Sequence, residues 1–131
     1  MEDLFIQGEE STFFIPTVSF SAETGICELK GESYLEDTFA FYQPLEAWLK
    51  EYTTTIRKPI TFNIGLSYFN TSSSRSILDL LIILKEYQDS GGSVIVNWYL
   101  QEWDEDMRQD IEDFSLDSAL LINILQLNSK S

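Results

Sequence analysis

A chain of 131 residues that is 44% hydrophobic and 14% aromatic can bury one real core, which separates it from acidic disordered tails. Its 22 acidic against 8 basic residues give a net charge of −14. A surface this negative lacks the Lys and Arg that displace counterions, so nucleic acid and anionic lipid are excluded as partners.

The chain opens on acidic Met1-Glu2-Asp3, with no basic and apolar leader. Phe13–Phe20 and Ile26–Lys30 are short β-rich runs separated by Ser21-Ala22-Glu23-Thr24-Gly25, a hairpin signal. Pro16 cannot donate to a ladder, which predicts an edge strand or a bulge in the first run. Cys27 in the second run is the single cysteine, so no internal disulfide can form, and a small apolar filler is the ordinary role of such a thiol. A reducing, cytoplasmic address follows.

Gly31-Glu32-Ser33-Tyr34-Leu35-Glu36-Asp37 reads as a polar turn, and the helix after it runs from about Asp37 to Tyr52. Tyr42, Leu45, Trp48, Leu49 and Tyr52 share one face of it. Pro44 removes one backbone bond, which predicts a kink or a later start. Ile60, Phe62, Ile64, Leu66 and Tyr68 then alternate with smaller or polar residues, the clearest strand in the chain. That strand leads into Asn70-Thr71-Ser72-Ser73-Ser74, a cluster of N-cap residues, and on to Ile77, Leu80, Leu81 and Leu84 at helical spacing. The apolar run Ile77–Leu84 is interrupted by Asp79 and is too short to span a bilayer. Gly91-Gly92 stops the helix, and Ser93–Tyr99 is a further strand, so a right-handed βαβ crossover with parallel pairing is expected. Trp103–Phe114 reads as an acidic surface helix with Met107, Ile111 and Phe114 inward, and Ala119–Leu127 as a final strand or short helix. The expected fold is a single α/β (α+β) domain over residues 1–131. It has a mixed sheet of about five strands, an N-terminal hairpin, a βαβ crossover and helices packed on the sheet.

Histidine is absent, which excludes Ser-His-Asp and Cys-His nucleophiles and the common histidine metal sites. Neither phosphate-cradling glycine motif is present. Asp104-Glu105-Asp106 and Glu112-Asp113 fit a solvated helix face better than an acid/base pair. No catalytic residue, metal or cofactor is therefore expected. Tyr34, Tyr42, Trp48, Trp98, Tyr99 and Trp103 are the aromatics that a passive docking module could use, with Trp103 the foremost surface residue among them.

What remains is the junction at Asn70–Ser74. One such residue suffices as a cap, and five in a row exceed that need. They sit at the carboxyl end of a parallel strand, where open sheets present functional loops. A phosphate on Thr71 would place about two negative charges at a helix N-terminus, where free N–H groups and the helix dipole accommodate them. Cap and switch stand as equal readings of these residues.

Tyr68-Phe69-Asn70-Thr71-Ser72-Ser73-Ser74-Arg75 resembles the signature of the SiaC family of bacterial regulatory phosphoproteins. Gly31-Glu32-Ser33-Tyr34 with Glu36 resembles that family's turn before its first helix. Trp98-Tyr99, Asp104-Glu105-Asp106-Met107 and Glu112-Asp113-Phe114 resemble its strand and acidic C-terminal helix. The resemblance runs from about Thr12 to Phe114. It implies a fold similar to anti-sigma-factor antagonists of the SpoIIAA type, and a partner switch. In such a switch a SiaB-type Ser/Thr kinase phosphorylates Thr71 and a PP2C-type phosphatase reverses it. The unphosphorylated form then activates a diguanylate cyclase, raising cyclic di-GMP and favouring biofilm. By the same match Asn70, Ser72 and Ser73 shape the phosphosite loop, and Tyr34 and Glu36 belong to the partner-binding surface. Leu35 and Asp37 stand where the family has Pro and Asn, and its glycine before the acidic-Phe pair is replaced near Asp110-Ile111. These departures leave the phosphosite intact and leave room for another effector, such as an anti-sigma factor.

Overall fold

The structure, a computed structural model, describes residues 1–127, so residues 128–131 of the expected 1–131 domain lie outside the described part. The strands are β1 (Leu4–Ile6), β2 (Glu9–Glu10), β3 (Phe14–Ile15), β4 (Thr17–Phe20), β5 (Ile26–Ser33), β6 (Ile60–Phe69), β7 (Val94–Leu100) and β8 (Ile122–Gln126). The helices are α1 (Thr38–Glu51), α2 (Thr71–Asp89) and α3 (Glu105–Ser118), and α1 runs on into a π-helical turn at Tyr52–Ile56.

The main sheet has six strands in the order β1-β4-β5-β6-β7-β8, and β2-β3 form a separate small hairpin. The β1–β4 and β4–β5 pairs are antiparallel, and the pairs from β5 to β8 are parallel. The expected mixed sheet, hairpin and crossover are all present. The strand count is six rather than about five, and α1, α2 and α3 each complete a βαβ unit where one was expected. Successive right-handed crossovers stepping one way across a sheet place their helices on one face. Accordingly α2 packs against both α1 and α3.

Between the layers lie Phe20, Leu29, Phe62, Ile64 and Trp98 from the sheet, met by Tyr42, Leu45 and Leu49 of α1 and by Ile77, Leu81 and Leu84 of α2. Met107, Ile111 and Phe114 of α3 are buried as their spacing predicts. The Phe114 ring stacks on Trp98 at 5.6 Å between centroids. Cys27 is a buried filler whose thiol is pushed well above its ordinary range by burial.

Several local readings need correction. Pro16 does not mark an edge: it separates β3 from β4, and β4 lies inside the sheet because β1 covers its outer side. The supposed turn at Gly31–Asp37 begins later, since Gly31, Glu32 and Ser33 continue β5. Pro44 does not delay α1, which starts at Thr38 where Asp37 Oδ1 accepts from Ala40 N at 3.0 Å. The bond that Pro44 forfeits belongs to the carbonyl of Ala40, an exposed residue that solvent can satisfy. Tyr68 leaves the inward row of β6. Leu66 pairs with Gly31 and Tyr68 with Glu32, so Ser67 is an extra residue and the alternation flips beyond it. Phe69 then packs against the core and Tyr68 is 46% exposed. The acidic helix starts two residues later and ends four later than Trp103–Phe114, and Ala119–Leu127 is a strand only at Ile122–Gln126.

Glu105 and Asp106 in the first turn of α3 suit its dipole, whereas Asp110 does not benefit from it. Partial burial raises the Asp110 carboxyl, and Asp113, Asp106 and Asp104 raise it further. A carboxylate raised in the folded state binds a proton more readily there than in the unfolded chain. Its charge therefore destabilises at neutral pH, and the cost fades as pH falls through the folded value. Asp110→Asn should stabilise by about 0.2–0.5 kcal/mol, the scale of like-charge pairs on helices. Thermal melts should show the gain at neutral pH and low salt, and lose it in high salt or mild acid.

Candidate functional site

Asn70 leaves β6 in an extended conformation (φ −88°, ψ 178°), and its Oδ1 accepts from Ser73 N at 3.0 Å and from Ser72 Oγ at 3.2 Å. Ser74 N donates to Asn70 O at 3.0 Å. Asn70 is thus the helix cap, and Thr71 is the first residue of α2, exposed, in a turn without an acidic residue. Asn70→Ala should cost about 1 kcal/mol in urea unfolding, and Asn70→Ser, which keeps a capping oxygen, much less.

The hydroxyls that follow differ sharply in environment. Ser73 is fully buried. Ser33 Oγ donates to Ser73 Oγ at 2.7 Å, and Ser73 Oγ donates back to Ser33 O at 3.2 Å. Ser33 has one hydroxyl proton, so the 2.8 Å contact between Ser33 Oγ and Tyr42 Oη must use the tyrosine's proton. Burial pushes Tyr42 up to about 12, opposed by its contacts with Ser33 and Ser73, which keeps the phenol a donor. Ser33 O also accepts from Asn70 N at 3.1 Å. The end of β5, the α1 helix and the start of α2 are therefore fastened at one buried node. Ser72 is exposed but engaged, 2.8 Å from Thr38 Oγ1 at the start of α1. Thr71 alone of the three is exposed with a hydroxyl that makes no side-chain hydrogen bond among the described residues.

Asn70, Ser72 and Ser73 adjoin Thr71 at this junction. Tyr34, beside the buried node, is 44% exposed and exchanges two backbone bonds with Phe14, at 2.8 and 3.0 Å. Phe14, Glu32, Tyr34 and Tyr68 line an open depression of about 400 Å3. Glu36 is exposed on the loop before α1 and makes no hydrogen bond to the junction among the described residues. Sequence reasoning did not join Ser33, Thr38 and Tyr42 to this junction, and it passed over Phe39, which is 71% exposed on the first turn of α1. Of the aromatics weighed for docking, Tyr42, Trp48 and Trp98 are core, while Trp103 is 75% exposed.

Among the described residues no group of three or more His, Cys, Asp or Glu side chains could hold a metal ion. Asp104 serves as the cap of α3, accepting from Met107 N at 3.1 Å. No helix of the described residues is long and apolar enough to cross a membrane.

Comparison with known proteins places this geometry. A protein of Pseudomonas aeruginosa (strain UCBPP-PA14) is 27% identical over 119 residues, 91% of this chain and 92% of its own length. The crystal structure of apo-SiaC from Pseudomonas aeruginosa matches with a TM-score of 0.86 at 26% identity, over 95% of this chain and 99% of that one. A chain in the structure of the diguanylate cyclase SiaD in complex with its activator SiaC, from the same organism, matches with a TM-score of 0.88 at 26% identity, over 95% of this chain and 100% of that one. The model of the family described as SiaC family regulatory phosphoprotein matches residues 6–127, which take in all three helices and every strand of the main sheet but the start of β1, so this chain belongs to that family.

Proposed function

We propose that this chain is a non-enzymatic partner switch set by reversible phosphorylation of Thr71. Unphosphorylated, it binds and activates a diguanylate cyclase in the cytoplasm; a SiaB-type Ser/Thr kinase and a PP2C-type phosphatase set the balance. The observation that carries this reading is the contrast among neighbouring hydroxyls: Ser73 is buried and Ser72 is engaged by Thr38 and Asn70, whereas Thr71 is exposed and uncommitted. A kinase needs the last of these. The SiaC–SiaD complex supports the choice of effector by kinship. A phosphate at the first helical position meets the positive end of the dipole, so the fold should tolerate it while the surface changes sharply. Tyr34 and Glu36 complete the docking surface in this reading.

Intact-mass and peptide mapping of protein from the native host should find one phosphate, at Thr71, absent from Thr71→Ala. Phosphate on Ser72, or persistence in the Thr71→Ala variant, would refute the site. The exposed Trp103 favours a second reading, a passive docking module. It requires equal partner affinity for Thr71→Ala and Thr71→Glu. An effector other than a cyclase, such as an anti-sigma factor, would retain the phosphate dependence and fail to bind the cyclase.

A further inference from the structure

All three helices cover one face of the sheet, and among the described residues the other face carries none. We propose that this bare face is where two copies of the chain meet. Its central positions read, row by row across the strands, Ile26-Thr61-Ile95, then Ser19-Glu28-Asn63-Asn97-Asn123, then Lys30-Gly65. Tyr99 and Leu125 pair beyond them. In a chain of net charge −14 the positions named on β6, β7 and β8 are all uncharged, and the acid and base on β5, Glu28 and Lys30, pair at 3.5 Å, with Glu9, Glu10 and Glu32 bordering Lys30 beyond them. It is a surface on which so acidic a molecule can meet its like without stacking carboxylates, and Ile95 and Leu125 supply apolar area.

The middle row adds a specific complementarity. Asn97 Nδ2 donates to Asn63 Oδ1 at 2.9 Å, and Asn123 Nδ2 donates to Asn97 Oδ1 at 3.0 Å. A row of amides joined head to tail has one donor end and one acceptor end, whichever way it runs. A two-fold axis along the strand at Asn97 sets the Asn63 end of one copy over the Asn123 end of the other, so the free donor meets the free acceptor. Sheets pack about 10 Å apart, a distance that two facing asparagines can bridge. About this axis β6, β7 and β8 of each copy overlap, and three strands about 4.8 Å apart give a pair burying on the order of 600 Å2 in total, the size of a transient contact. The association is accordingly weak and reversible. It is opposed at long range by the remaining acidic charge, so salt strengthens it.

Sedimentation velocity of the full chain at high protein concentration, in low and high salt, tests this. The expected result is a monomer–dimer mixture that moves toward dimer in high salt. Asn97→Asp and Ile95→Lys should each shift it to monomer with the far-UV spectrum unchanged. Ile95 is 49% exposed, so the second variant folds even if a charge in the asparagine row does not. Leu116→Lys, on the exposed side of α3, should dimerise as the parent does. A monomer at every salt concentration overturns the proposal, as does a dimer that survives both substitutions or is broken equally by Leu116→Lys.

Discussion

Phosphorylation at Thr71 should weaken binding to the cyclase by about 30-fold to several thousand-fold, the range that corresponds to about 2–5 kcal/mol for burying an unpaired charge in an interface. The phosphate carries about −1.5 to −2 charges at neutral pH. On the free protein these are solvated and lie against the positive end of α2. In a complex formed over Thr71 they lose water and gain no partner. The same phosphate should stabilise the free fold by about 0.3–1 kcal/mol through the helix dipole. Stability and affinity therefore move in opposite directions, which separates a switch from a modification that merely damages the protein. Calorimetric titration of the phosphorylated form, the unphosphorylated form and Thr71→Ala, paired with thermal melts, reads both. Thr71→Ala should bind like the unphosphorylated protein. Phosphorylated protein that binds the cyclase as tightly as Thr71→Ala would end the switch reading. Glutamate at Thr71 carries less charge than phosphate and should weaken binding less.

Ser33→Ala should destabilise the protein by about 1–3 kcal/mol, far more than an exposed serine would, because it takes from a buried phenol its acceptor at 2.8 Å. Tyr42 Oη donates to Ser33 Oγ, and Tyr42 is fully buried. Ser73 keeps its own bond to Ser33 O when the Ser33 hydroxyl is removed, so the loss falls on Tyr42, which is left with only its weaker contact with Ser73. Tyr42→Phe removes the orphan itself and should cost only about 1 kcal/mol. The double variant should then be more stable than the sum of the two losses implies, with a coupling on the order of 1 kcal/mol. Urea unfolding of the four proteins closes the cycle. Strict additivity would show that the 2.8 Å contact contributes nothing and that the junction is held by packing alone.

The elements that were legible in the sequence are those with long, regular patterns. The alternation from Ile60 to Leu66 and the cap-rich run before Ile77 specify β6 and α2, and with them the position of Thr71. β1 was not legible because three residues cannot display a period, and its pairing with β4 spans a loop. Gly31–Ser33 looks like a turn because its residues are polar, yet Ser33 faces inward and satisfies its hydroxyl within the node. Nothing in a lone serine tells which hydroxyl it will meet, so Ser33 and Tyr42 could not be joined to the site from spacing. The bulge at Ser67 turns Tyr68 outward into the depression beside Tyr34 and reflects the strand pairing, which periodicity does not report.

The length of α2 limits how far any message written at its start can travel. Its 19 residues extend about 28 Å at the usual rise, several times the distance of about 8 Å over which physiological salt screens charge. The far end, where Arg57 Nη2 donates to Ser90 O at 3.2 Å, is electrically deaf to Thr71. A contact made there would be constitutive, so one copy could stay tethered to a scaffold throughout the cycle while its other end is written and erased.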